Sequence, residues 1–135
     1  MLICSGKVYY DLLAAREERK ADHIALVRLE QLYPFLSSSV NDILMRYPLT
    51  SEVIWAQEEP RNMGAWQFLR EQIKPLLDSS GRELRYVGRS ESASPATGSA
   101  KRHQQEQAEI LDEALTIGAV AKKGRVRLVA RRKAK

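Results

Sequence analysis

Short apolar runs alternate along this chain with segments whose apolar residues recur at helical spacing. Leu2-Ile3-Cys4 is an apolar run that stops at Ser5-Gly6, the mark of a buried strand and a tight turn. From Lys7 to Lys20, Val8, Tyr9, Leu12 and Leu13 share one helical face, and the charged run Arg16 to Lys20 forms a solvated end. His23 to Leu29 is nearly continuous in apolar residues, which predicts a strand covered on both faces. Pro34 breaks regular structure after it. Ser37 or Ser38 is placed to cap a helix carrying Val40, Ile43, Leu44 and Tyr47, which Pro48 ends. Val53 to Ala56 predicts a third strand, and Gln57 to Gly64 a polar loop. A helix follows from about Ala65, with Trp66, Leu69, Ile73 and Leu77 inward and Pro75 kinking or ending it. Leu84 to Val87 predicts a fourth strand. Arg89 to Ser99 is rich in Ser, Ala, Pro and Gly and reads as a loop. The last helix spans about Ala100 to Leu115, with Ala108, Leu111 and Leu115 on one face and Gly118 at its end.

Strands that alternate with helices imply an α/β fold, a mainly parallel sheet of about four to five strands with helices on both faces. The 135 residues suffice for one hydrophobic core. We therefore expect one domain over residues 1–118 and a disordered tail over 119–135. That tail holds eight basic residues and no acidic one. Without them, the chain's 22 basic residues fall to 14 against 17 acidic, so the net charge of +5 belongs to the tail. Val126, Leu128 and Ala130 alternate with arginine there, which leaves a weak edge strand open. No stretch has the length and apolarity of a membrane span, and the start lacks the pattern of a secretory signal. The expected location is the cytoplasm, or the mitochondrial matrix in a eukaryote.

Candidate chemistry is sparse. Nucleophile-elbow, phosphate-loop and zinc-protease motifs are absent from the sequence. The two histidines and one cysteine make no convincing zinc set. Cys4 reads as a small buried hydrophobe, and His23 as a surface residue. Two loops remain, both expected at the carboxyl ends of strands, where open parallel sheets place their sites. In the first, Glu58 and Glu59 are adjacent, so an extended backbone points them to opposite sides. Its plain reading is loop architecture: a capping carboxylate, Pro60 fixing the turn, Gly64 allowing it, and Trp66 anchoring the helix. The second loop ends in Thr97-Gly98-Ser99 and runs into Lys101, Arg102 and His103 at a helix start. Free N–H groups and the helix dipole suit an anion there. Its plain reading is a Ser99 helix cap beside solvated cations.

These segments resemble one family. Ile3-Cys4-Ser5-Gly6-Lys7-Val8-Tyr9-Tyr10-Asp11-Leu12 is similar to the opening of the C-terminal domain of 2-oxoglutarate dehydrogenase, the decarboxylating first component of that complex. Ala25 to Pro34 resembles its next strand and turn. Trp55-Ala56-Gln57-Glu58-Glu59-Pro60, with Asn62-Met63-Gly64-Ala65-Trp66, resembles a third block. Tyr86-Val87-Gly88-Arg89, Ser92-Ala93-Ser94-Pro95-Ala96, Gly98 and His103 resemble a fourth, and Glu106-Gln107 with Leu111 suits its last helix. The segment after Gly118 does not resemble the family.

The resemblance implies a three-layer domain like the C-terminal domain of transketolase. It implies oxidative decarboxylation of 2-oxoglutarate in the tricarboxylic acid cycle, with succinyl transfer to a lipoyl arm. Thiamine diphosphate and magnesium serve that chemistry in the full enzyme, on other domains. No catalytic, cofactor or metal residue carries over, and the isolated chain is expected to be inactive. What the resemblance carries over is architecture: Glu58, Glu59, Asn62, Gly64 and Trp66 as the loop and helix start that pack against the remaining domains or a second subunit, and Arg89, Ser92, Ser94, Pro95, Gly98 and His103 as the other family-type loop. A homo-oligomer is expected; a membrane or nucleic-acid partner is not. Some relatives bind nucleotides or acetyl-coenzyme A near domain junctions, and the second loop is the place for such a ligand here. The competing readings are a stand-alone anion- or nucleotide-binding regulatory module, and a nucleic-acid binder working through the basic tail.

Overall fold

A computed structural model describes residues 1–48 and 52–116. Four strands and four helices alternate: β1 (Leu2–Cys4), α1 (Val8–Glu18), β2 (Leu26–Arg28), α2 (Ser37–Arg46), β3 (Glu52–Pro60), α3 (Trp66–Asp78), β4 (Glu83–Arg89) and α4 (Ala100–Leu115). The sheet order is β2-β1-β3-β4 and every pairing is parallel. β1 is central: Leu2 lies beside Leu26 on one side and Ile54 on the other. Parallel neighbours need a crossover, and each is a helix that must cover a sheet face.

The helices divide into two layers. Leu2, Cys4, Ile54, Ala56 and Val87 point to one face and pack with Val8, Leu12 and Ala15 of α1 and Ile110, Ala114 and Leu115 of α4. Met1, Ile3, Val53 and Trp55 point to the other, against Val40 and Leu44 of α2 and Trp66, Leu69, Ile73 and Leu77 of α3. Strand alternation thus builds two cores on a single sheet. This is the expected three-layer α/β sandwich, with four strands among the described residues.

Several boundaries differ from the sequence expectation. β3 runs on through Gln57, Glu58 and Glu59 to Pro60, where a polar loop was expected. Its pairing with β4 becomes irregular between Ala56 and Pro60. β2 is only three residues long and is an edge strand: Leu26 packs against one core and Val27 against the other, both half-buried, and Arg28 is exposed. Neither Ser37 nor Ser38 caps α2: Leu36 holds that position, with no side-chain hydrogen bond. Tyr47 is exposed. Pro75 does not end α3, which continues to Asp78. On α4 Leu111 and Leu115 face the core as expected, together with Ile110 and Ala114, but Ala108 is exposed. The Tyr33–Pro34 peptide is cis. The tail and its edge-strand pattern lie outside the described residues, as does Gly118.

Cys4 is wholly buried on β1, its sulfur 3.9 Å from the Val27 carbonyl oxygen. Burial is the main reason its thiol pKa rises to about 12, with Glu30 adding to the rise. Iodoacetamide at pH 8.5 should therefore alkylate the folded chain roughly a thousandfold more slowly than the chain in urea. A thiol count over time checks this; equal rates would contradict it. Tyr86 is likewise raised to about 12, chiefly by burial. For both groups the folded state holds its proton where the unfolded state has lost it. Folding stability should therefore fall as pH rises above about 9, and be unaffected by either group below that.

Candidate functional site

The chain leaves β1 for β2 on one side, then returns for β3 on the other. The crevice between the carboxyl ends of β1 and β3 is therefore the topological switch point of the sheet. Both candidate loops lie at this end of the sheet, one after β3 and one after β4.

Gln57 organises the first, and sequence reasoning passed over it. It is 3% exposed. Its Oε1 accepts from the Trp55 indole N–H at 2.8 Å and from the Trp66 backbone N–H at 3.1 Å. Its Nε2 donates to the Met63 carbonyl at 2.8 Å, and lies 3.2 Å and 3.3 Å from those of Pro60 and Glu59. One amide thus ties the end of β3, the turn and the first residue of α3 into a corner. The second amide partner matters because a buried indole N–H or helix N–H left unpaired is costly.

Gly64 turns the chain with φ +66°, and a Cβ there would meet the Gln57 amide at 2.9 Å. Any side chain would face both strain and a clash. Trp66 is buried and packs against Tyr86, ring centroids 5.2 Å apart. The Tyr86 hydroxyl lies 3.0 Å from the carbonyl oxygens of both Glu59 and Arg89, so it bridges the ends of β3 and β4. A Cβ on Gly88 would collide with that hydroxyl, so the ring fits only against glycine.

Glu58 and Glu59 point apart, as an extended backbone requires. Glu58 lies 3.9 Å from the Lys7 amine, and Lys7 also pairs with Asp11 at 2.8 Å. Glu59 faces an open groove of about 480 Å³, lined also by Ser5, Leu32, Tyr33, Trp55 and Phe68. Asn62 joins the two candidate loops: its amide donates to the Ser92 carbonyl and accepts from the Ser92 N–H, both at 3.0 Å. The Arg61 N–H donates to the Arg89 carbonyl beside it.

In the second loop Arg89 and Arg102 are engaged internally. Glu106 of α4 receives Thr97 Oγ1 at 2.6 Å, Arg102 Nε at 2.9 Å and Arg89 Nε at 2.8 Å. The Arg89 approach is a close ion pair without hydrogen-bond alignment. These partners, the Thr97 hydroxyl first, lower the Glu106 pKa. Arg89 also donates to the Pro95 carbonyl at 3.0 Å. Ser94 bonds to Ser92 and to the Ala96 carbonyl, which folds the loop on itself. Ser99 caps α4 by accepting from the Arg102 N–H at 3.5 Å. Gly98 stands in open space, and His103 is exposed with only its helical backbone bond among the described contacts. The two loops are thus brought together through Asn62 and Ser92, while Gly98 and His103 stand apart.

The described residues form no group of three or more His, Cys, Asp and Glu able to hold a metal ion. What the geometry defines is a parallel α/β domain whose polar corner is built for rigidity, with an apolar groove beside it. Residues 1–115 match the 2-oxoglutarate dehydrogenase C-terminal family, and the chain belongs to that family. It is 49% identical over 117 residues to a 2-oxoglutarate dehydrogenase E1 component of Rickettsia felis, covering 85% of this chain and 12% of that protein. The E1 component of Cupriavidus necator is 46% identical over 114 residues, covering 84% and 12%. The mitochondrial 2-oxoglutarate dehydrogenase of Caenorhabditis briggsae is 46% identical over 118 residues, covering 87% and 11%. The chain thus spans about an eighth of the curated relatives it matches. Among solved structures, a chain described as "Split gene transketolase, inactive beta4 tetramer" superposes with a TM-score of 0.55 at 20% identity, over 86% of this chain and 39% of that one. That likeness is of fold and supports the transketolase-type assignment.

Proposed function

We propose that this domain is a structural and subunit-packing element of the 2-oxoglutarate dehydrogenase first component. It supports, without performing, thiamine-diphosphate-dependent decarboxylation of 2-oxoglutarate. The observation that carries this reading is the family match over residues 1–115, at close to half identity with E1 components. The site geometry agrees with it. Every buried polar group of the Gln57 corner is spent on internal hydrogen bonds, which suits a fixed surface better than a reacting one. Arg89 and Arg102 are paired with Glu106, so these two guanidinium groups are held by the loop's own helix. Magnesium and thiamine diphosphate belong, on this reading, to the remaining domains. The location follows the enzyme: cytoplasm, or the matrix in a eukaryote.

The test uses the Rickettsia felis E1 component shortened by the segment that this chain matches. The shortened protein and this chain, each alone with 2-oxoglutarate, thiamine diphosphate and magnesium, should release no carbon dioxide. Titrating the chain into the shortened protein should restore turnover in a saturable way. Turnover by the chain alone would overturn the reading, and so would a shortened protein that works equally well without it.

A further inference from the structure

The groove at the switch point is not used by the internal architecture just described. Its floor is Trp55 and its walls are Tyr33 and Phe68. Tyr33 is 84% exposed, Phe68 36% and Leu36, next to the Phe35 ring that meets Phe68, 49%. Large apolar side chains gathered around one concavity mark a recognition surface, where the same residues scattered singly would not. The polar groups at the floor are saturated: both ends of the Gln57 amide are occupied, so it has nothing left to orient a small polar ligand. The rim carries one carboxylate, Glu59, with no side-chain partner among the described residues. An apolar centre with a charged edge is the anatomy of a protein–protein interface, with aromatic anchors at its middle.

We infer that this groove is the docking seat for the remainder of the first component. The incoming surface would place an apolar side chain between Tyr33 and Phe68, and a lysine or arginine against Glu59. This rests on the function proposed above and adds the face through which that function acts. The occupant is argued from two observations. The family relatives are about eight times longer than the segment matched here, so most of their surface is available to cover this groove. And the rim carboxylate selects a partner surface that brings a cation to the edge of the groove.

The experiment is calorimetric binding of the chain to the shortened Rickettsia felis component, comparing wild type with Tyr33→Arg, Glu59→Lys and Met45→Arg. Tyr33 and Met45 are both strongly exposed, so their variants should fold as the wild type does, which circular dichroism verifies. Tyr33→Arg and Glu59→Lys should each weaken binding about tenfold or more, and Met45→Arg, on the outer side of α2, should leave it unchanged. If wild type binds and all three variants bind equally, the groove assignment fails while the proposed function stands. If wild type does not bind at all, the proposed function fails and the groove assignment falls with it. If Tyr33→Arg abolishes self-association of the chain but not binding to the component, the occupant is a second copy and the inference is wrong.

Discussion

Gln57→Ala should lower the unfolding free energy by about 3–5 kcal/mol, because it strands several buried groups at once. The Trp55 indole N–H, the Trp66 N–H and the Met63 carbonyl all lose their partner, and each orphaned group costs roughly 1–3 kcal/mol. Not all of these costs add, since the freed corner can relax and admit water. Gln57→Glu separates the two halves of the amide. It keeps the acceptor for both tryptophans but removes the donor to Met63 and brings a carboxylate beside three carbonyls, so it should also destabilise. Urea titration of the isolated chain measures both. A loss below about 1 kcal/mol for the alanine variant would mean that the corner is held by packing, not by the amide.

The second large effect lies in the core beside it. Ile73 of α3 is fully buried among Val53, Trp55 and Leu69 on one face of the sheet, and Leu12 of α1 is fully buried on the other. Ile73→Ala and Leu12→Ala should each cost about 2–5 kcal/mol, from lost burial and the cavity left behind. A domain of this size has a total stability of roughly 5–15 kcal/mol, so either variant should shift the urea midpoint strongly. The two clusters share the sheet but no side chain. Their effects should therefore add to within about 0.5 kcal/mol, measured in a stabilising osmolyte if the double variant is otherwise unfolded. Strong non-additivity would mean that the two faces form one coupled core.

The alternation of elements was readable because each obeys its own period. Trp66, Leu69, Ile73 and Leu77 recur at helical spacing and are all buried, and the apolar strand runs land on β1 and β3. The end of β3 was not readable, for a physical reason. Gln57, Glu58 and Glu59 are polar and precede a proline, so local composition favours a loop; only the tertiary closure onto Trp66 and Met63 makes burial of Gln57 favourable. A weak signal existed in the two tryptophans that flank this polar segment, since buried indoles need acceptors. On α4 the period placed Leu111 and Leu115 on the core side, and only Ala108, in the earlier part of the helix, is exposed, while Ile110 and Ala114 join the inward face and Asp112 and Glu113 pair outward with Arg19 and Arg85.

The candidate residues divide along the same line. Glu58 and Glu59 pointing apart follows from strand geometry and was foreseeable. Gly64 and Trp66 sit where the turn and helix start require them. That Asn62 clasps Ser92 is a contact between residues thirty positions apart, which no local pattern encodes. Lys101, Arg102 and His103 suggested an anion from outside, whereas Arg102, with Arg89, meets one from within the domain. That anion is Glu106, one turn further along α4 than Arg102 and brought to Arg89 only by the packing of that helix on β4.

The central claim is that residues 1–115 are a packing domain of a 2-oxoglutarate dehydrogenase first component. The most direct test is a chimera of the Rickettsia felis E1 component in which the matching C-terminal segment is replaced by residues 1–115 of this chain, assayed for decarboxylation of 2-oxoglutarate. The account predicts a folded enzyme with turnover comparable to the parent and lost again on Gln57→Ala. A chimera that folds and assembles as the parent does, but has no activity, would contradict it.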